Sequence, residues 1–200
     1  MNFLEWRDAP PAAFAVLGDP VGHSLSPKMQ SAALRHLGRD EQYLAIRVPL
    51  DEFDEAVEHL VALDYQGLNC TIPLKEAAFR WCSDVDPLAK RIGAVNTLRL
   101  ANREGTNTDC LGIVRVISRF RPEWNRALVL GAGGTARAVV VGLQGGELTL
   151  YNRTRSRAES LLQETSSCAM IADHIDLCGI DVLINCTSAG MHGESLKIDW

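Results

Sequence analysis

The stretch Ala127-Leu128-Val129-Leu130-Gly131-Ala132-Gly133-Gly134-Thr135-Ala136 decides the fold. Four apolar residues in a row read as a strand buried on both faces. The glycines that follow make a tight turn, and residues 134–143 read as a helix. The turn fits the pattern GxGxxA, in which each small residue has a reason. Gly131 permits the turn, Gly133 lets backbone approach a pyrophosphate, and Ala136 allows close packing of helix on strand. The N–H groups opening the helix then point at the phosphates.

Downstream the alternation continues. Residues 148–151 read as a strand, 156–165 as a helix and 181–186 as a strand, which makes a βαβ series. An NAD site would carry an acidic residue about 20 positions after the first glycine, to accept the ribose 2′-hydroxyl. Here that place holds Tyr151-Asn152-Arg153-Thr154-Arg155-Ser156-Arg157, with three arginines and no carboxylate. A guanidinium binds a phosphate bidentately, so the predicted cofactor is NADP.

Upstream, strands are predicted over 14–17, 43–48, 67–71 and 95–100. Helices are predicted from Ser26 to Gly38, over 74–81, over 86–92 and over 111–120. Ser26 reads as an N-cap with Pro27 at the first helical position. Phe53, Val57, Leu60 and Val61 form one apolar stripe of a further helix. The fold class is therefore α/β with a largely parallel sheet: an N-terminal α/β substrate-binding domain over 1–110, then a Rossmann-type doubly wound NADP-binding domain over 111–200.

Bulk properties narrow the function. A net charge of -5 and a pI near 5.5 give no global attraction to nucleic acid or to an acidic membrane surface. No run approaches the length of a membrane span. The opening residues, MNFLEWRDAPPAAF, place acids and prolines where a secretory leader needs an apolar stretch, so a cytoplasmic protein is expected. The six cysteines show no CxxC pair and no metal-ligand spacing, so they read as reduced thiols and no metal is expected. His36, His59, His174 and His192 lack ligand spacing and read as surface residues.

Polar residues gather where the upstream strands end. In His23-Ser24-Leu25-Ser26-Pro27 an extended backbone would put both serine hydroxyls on one side, ready to meet a carboxylate. The same alternation aligns Asn69 with Thr71, and Lys75 follows at a helix start, where a cation opposes the dipole unless an anion or substrate lies nearby. Taken alone, such a lysine reads as a surface residue. Asn96 and the Asn107-Thr108-Asp109 triplet add amides and a carboxylate.

Seven strings, GDPVGHSLSP, GLNCTIPLK, IGAVNT, GTNTD, GAGGTARA, NRTRSRA and NCTSAGM, run in order from residue 18 to residue 191. In these the chain resembles the shikimate dehydrogenase family. The resemblance implies reversible hydride transfer between NADP(H) and C3 of shikimate, with 3-dehydroshikimate as the ketone. It implies Lys75 and Asp109 as the catalytic pair, and Ser24, Ser26, Asn69, Thr71 and Asn96 as holders of the substrate's carboxylate and hydroxyls. It places the pyrophosphate on Gly131, Ala132, Gly133, Gly134, Thr135 and Ala136, and the 2′-phosphate on Asn152, Arg153, Thr154 and Arg157. Thr187 and Met191 would flank the nicotinamide. Family members continue beyond this point, with further strands and a last helix that returns to the first domain. The nucleotide domain is accordingly expected to be incomplete at its C-terminal side. A homodimer is compatible with the resemblance. Two alternatives stay open: a quinate or broader cyclitol dehydrogenase, and a binding remnant without turnover.

Overall fold

The computed structural model describes residues 3–143, 145–190 and 198. It divides into two compact units, Met1–Lys90 with Ala94–Asn107, and Arg91–Gly93 with Thr108–Trp200. Among the described residues no helix is long and apolar enough to cross a membrane.

The first unit contains β1 (Leu4–Glu5), β2 (Phe14–Gly18), α1 (Ser26–His36), β3 (Tyr43–Arg47), α2 (Phe53–Ala62), β4 (Gly67–Cys70), α3 (Lys75–Trp81), β5 (Asp84–Val85), most of α4 (Pro87–Ile92), β6 (Thr97–Arg99) and β7 (Glu104–Thr106). Its sheet runs in the order β1-β3-β2-β4-β6-β7-β5. Strands β1, β3, β2 and β4 are parallel, but β6 lies antiparallel to both neighbours, so this sheet is mixed rather than largely parallel. The short turn between β6 and β7 makes a hairpin, and a hairpin forces antiparallel pairing.

Alternation along the strands divides the core. Leu17, Ile46, Leu68 and Leu98 point to one face, where Phe53 and Leu60 of α2 and Leu74 cover them. Each such fully buried side chain contributes roughly 2 kcal/mol. Val16, Tyr43 and Ala45 point to the other face and pack with Val21 and Leu34. The stripe expected on α2 holds for Phe53, Val57 and Leu60, whereas Val61 is 39% exposed. The buried place on that turn goes instead to Ala56, one turn from Leu60.

The start of α1 departs from expectation. Leu25 occupies the cap position in a helical conformation, and Ser26 is already inside the helix. Ser24 Oγ instead accepts the Ser26 N–H at 3.2 Å, so the two serines form a local turn rather than an extended pair. Gly38 donates its N–H to Arg35 just past the end of the helix. His59 also corrects the surface reading, because its ring packs edge-on against Trp6 at 5.5 Å.

The second unit contains α5 (Asp109–Phe120), β8 (Arg126–Leu130), α6 (Gly134–Gly142), β9 (Glu147–Tyr151), α7 (Arg155–Thr165), β10 (Met170–Ile171) and β11 (Val182–Asn185). Its sheet order is β10-β9-β8-β11, with every pairing parallel. The chain moves outward from β8 to β9 and β10, then crosses back to place β11 on the far side of β8. The strand order therefore reverses between β8 and β11, and ligands of open parallel sheets bind beyond the strand ends at such a point. The protein is α/β, a mixed-sheet unit followed by a Rossmann-like parallel unit.

Candidate active and nucleotide sites

In the first unit the candidate residues come from the ends of β2, β4 and the segment before β6. Gly18 ends β2 so close to β4 that an added Cβ would lie 2.5 Å from Thr71 Cγ2. Only glycine lets the two strand ends meet there. The loop beyond Gly18 is braced at Asp19, which accepts Arg47 Nε at 2.9 Å, and leads to Ser24 and Ser26, both half-buried. Lys75 opens α3 and is only 9% exposed, which overturns the surface reading of an isolated lysine. An ammonium that sheltered requires partners to offset lost hydration.

A hydrogen-bond network joins several of these side chains. Tyr43 Oη donates to Asn69 Oδ1 at 2.6 Å. Asn69 Nδ2 donates to Thr97 Oγ1 at 3.0 Å and to the Asn96 carbonyl at 3.1 Å. Thr97 Oγ1 in turn donates to Asn96 Oδ1 at 2.9 Å. The Ser26 hydroxyl hydrogen-bonds the Tyr43 phenol, whose pKa burial drives well above its ordinary value. Asn96 itself is buried, and its strand is held by the Cys70 N–H on the Asn96 carbonyl and the Asn96 N–H on Thr106. Asn107, buried one strand away, donates Nδ2 to the Ala94 carbonyl at 2.9 Å. A groove of about 820 Å³ runs over the β4, β6 and β7 face and is lined by Tyr43, Asn69, Thr97 and Thr106 among others. Of the predicted substrate residues it includes Asn69 alone.

In the second unit β8 ends at Gly131, whose φ of +106° is open to glycine at little cost. A Cβ there would also press to 3.1 Å on the Cys186 backbone at the end of β11. Gly133 caps α6 with extended φ/ψ, and a Cβ on it would meet nothing within 4 Å. The N-terminus of α6 is thus approachable, as a pyrophosphate requires. Ala132, Gly134 and Thr135 are half-buried around it, and Ala136 is fully buried against the sheet.

The three arginines after β9 are not equivalent. Arg155 is bound to Glu159 at 2.9 Å and also to Asp173. Arg153 and Arg157 are exposed and make no ion pair with any described residue. Asn152 turns its amide back on the Thr154 carbonyl at 2.8 Å, which shapes the loop into α7. The donor set therefore fits NADP: an open helix N-terminus and two uncommitted guanidinium groups. Asp109 opens α5, where a carboxylate is favoured by the N-terminal N–H groups.

Beyond β11, Thr187 is fixed by Asn185, whose Oδ1 accepts the Thr187 N–H at 2.9 Å and its hydroxyl at 2.7 Å. Met191 and His192 lie outside the described residues. Tyr43, Thr97 and Asn185 carry part of the architecture of these sites but were not among the predicted residues. A strand tyrosine reads as core, and Thr97 and Asn185 sit in quoted strings without an assigned role; their signal was a density of Asn, Thr and Ser at strand ends. All six cysteines are free thiols, and burial pushes Cys82 up to about 11.

Residues 16–98 match the model of the shikimate dehydrogenase substrate-binding domain. The NADP(+) shikimate dehydrogenase of Methanosarcina mazei is 43% identical over 197 residues, covering 90% of this chain and 70% of its own length. The chain belongs to the shikimate dehydrogenase family. Its fold is shared with the shikimate dehydrogenase of Aquifex aeolicus, with a TM-score of 0.85 at 36% identity over 94% of this chain and 73% of that one. A shikimate 5-dehydrogenase of Thermus thermophilus, solved with NADP(H) and shikimate, superposes with a TM-score of 0.78 at 38% identity, covering 90% of this chain and 69% of that one. The chain is thus homologous to NADP-dependent oxidoreductases that act on a CH–OH group.

Proposed function

We propose that this protein catalyses the reversible NADPH-dependent reduction of 3-dehydroshikimate to shikimate. The observation that carries the reading is the burial of Lys75 at the start of α3, in the same unit as the Ser24, Ser26, Asn69, Thr71 and Asn96 cluster. A lysine placed there by a shikimate dehydrogenase substrate-domain sequence has a chemical purpose that a surface lysine lacks.

NADPH supplies the hydride when bound. As the ketone carbon is reduced, negative charge develops on its oxygen, and Lys75 stabilises that charge and donates a proton. Asp109 has the supporting or shared role in the proton transfer. Ser24 and Ser26 hold the carboxylate, while Asn69, Thr71 and Asn96 fix the ring hydroxyls. Gly131, Gly133, Gly134 and Ala136 admit the pyrophosphate to the α6 N-terminus. Arg153 and Arg157, with Asn152 and Thr154, bind the 2′-phosphate, and Thr187 stands on the loop beside the nicotinamide.

The test is NADPH formation from NADP+ with shikimate or with quinate, accompanied by calorimetric titration of each ligand. Turnover of shikimate at a kcat/KM well above that of quinate supports the proposal. Binding of both ligands without NADPH formation overturns the activity and selects a binding role. Preference for quinate overturns the substrate.

A further inference from the structure

Asn69 uses its amide inside the protein. Its Oδ1 accepts from Tyr43 at 2.6 Å, and Nδ2 donates to Thr97 Oγ1 at 3.0 Å and to the Asn96 carbonyl at 3.1 Å. An asparagine amide has two N–H donors and one carbonyl oxygen. Both donors are thereby committed, and the oxygen already has a short partner.

The direction of these bonds is set at one end. A phenol can donate only one proton, and Tyr43 gives it to Asn69, so the oxygen of that amide must face Tyr43 and its nitrogen must face Thr97. Thr97 Oγ1 then receives an N–H, and its own proton is directed to Asn96 Oδ1, 2.9 Å away. With Oδ1 of Asn96 turned toward Thr97, the edge that Asn96 offers to a ligand is N–H. The strand register supports the relay, because Asn69 and Thr97 are direct cross-strand partners.

We infer that Tyr43 and Thr97 are positioning residues that fix the amide of Asn96 in its donor orientation for a ring hydroxyl of the substrate. This rests on the function proposed above and assigns Asn69 a supporting part in addition to any contact of its own. Tyr43 also meets Ser26. The same phenol therefore links the serine side of the candidate site to its amide side, within one unit. A ligand carboxylate would draw the single Ser26 proton to itself, leaving Tyr43 held by Asn69 alone.

The experiment is steady-state kinetics on Tyr43→Phe, Thr97→Val, Thr97→Ser and the double variant Tyr43→Phe/Thr97→Val. Loss of one coupled hydrogen bond is expected to raise KM for shikimate about tenfold in Tyr43→Phe and in Thr97→Val. The kcat and the KM for NADP+ should stay within about twofold of wild type. Thr97→Ser keeps the hydroxyl and should restore the wild-type KM. Because both residues act through one chain of bonds, the double variant should be no worse than the worse single. An unchanged KM for shikimate in Tyr43→Phe overturns the inference while leaving the proposed activity intact. Equal losses in kcat and in both KM values, with a lowered melting temperature, assign the network to folding and also overturn it. Failure of the wild-type protein to bind or turn over shikimate removes the proposed function itself, and the inference with it.

Discussion

The two units solve recognition in opposite ways. In the first, the polar side chains of the candidate site are hydrogen-bonded to one another: Tyr43, Asn69, Thr97 and Asn96 form one network before any ligand arrives. In the second, the groups assigned to the cofactor are left open. Gly133 has no side-chain neighbour to obstruct it, and Arg153 and Arg157 have no ionic partner among the described residues. The difference follows from what is recognised. A small polyhydroxy ring offers donors and acceptors at close angular spacing, so the groups that meet it must be oriented in advance. A phosphate offers charge, which flexible guanidinium groups can gather from solvent.

The largest expected effect tests the open side. Replacing both Arg153 and Arg157 with alanine removes two charge-assisted contacts and should raise KM for NADP+ by about 10²-fold. The KM for NAD+, which has no 2′-phosphate, should not move. Equal losses for the two cofactors would mean that these arginines act through the fold. Arg155→Ala sharpens the comparison, because its guanidinium is already committed to Glu159 and Asp173. It should change KM for NADP+ by less than about threefold, in keeping with the small worth of exposed ion pairs. A loss matching that of Arg153 would show that the three arginines form one patch.

The smallest effect concerns Asp181, which joins the start of β8 to the residues before β11. Its carboxylate accepts the N–H groups of Asn125 at 2.7 Å and Arg126 at 3.0 Å, and these bonds hold its pKa below the ordinary value. A depressed folded-state pKa contributes stability above the unfolded-state value, and that contribution is lost as pH falls through the folded one. The melting temperature of Asp181→Asn should therefore lie slightly below wild type at neutral pH. The gap should close under acid conditions, below the ordinary carboxylate range. A gap independent of pH would show that charge at this position is irrelevant.

Much of this was legible in the sequence, and unevenly so. The Rossmann-like unit was legible because its strands are continuous apolar runs: residues 127–130 announced β8, and the glycines announced the turn into α6. Strands β1, β5, β7 and β10 were not predicted, since two or three residues are too few to display a period. The antiparallel β6 was read as a strand, but its direction depends on pairing with β4, which no local signal encodes. At the site, Lys75 was found by its string, yet its burial required the fold. The serine pair shows the opposite failure. Regular alternation was assumed for Ser24 and Ser26, whereas a local side-chain bond to the Ser26 N–H turns the chain into α1. Tyr43 was hidden because a tyrosine in a strand is placed by its packing, and only the position of its hydroxyl beside Asn69 reveals the second use.

The central claim, that Lys75 and Asp109 carry the proton transfer of a shikimate-oxidising site, is tested most directly by the single-turnover rate of NADPH formation with both ligands saturating. Lys75→Ala, Asp109→Asn and the combined variant are compared with wild type. Each single change is expected to slow the step by roughly 10²-fold or more, and the combined change by less than the product of the two, as befits residues acting as a unit. A combined variant that oxidises shikimate as fast as wild type would contradict the account.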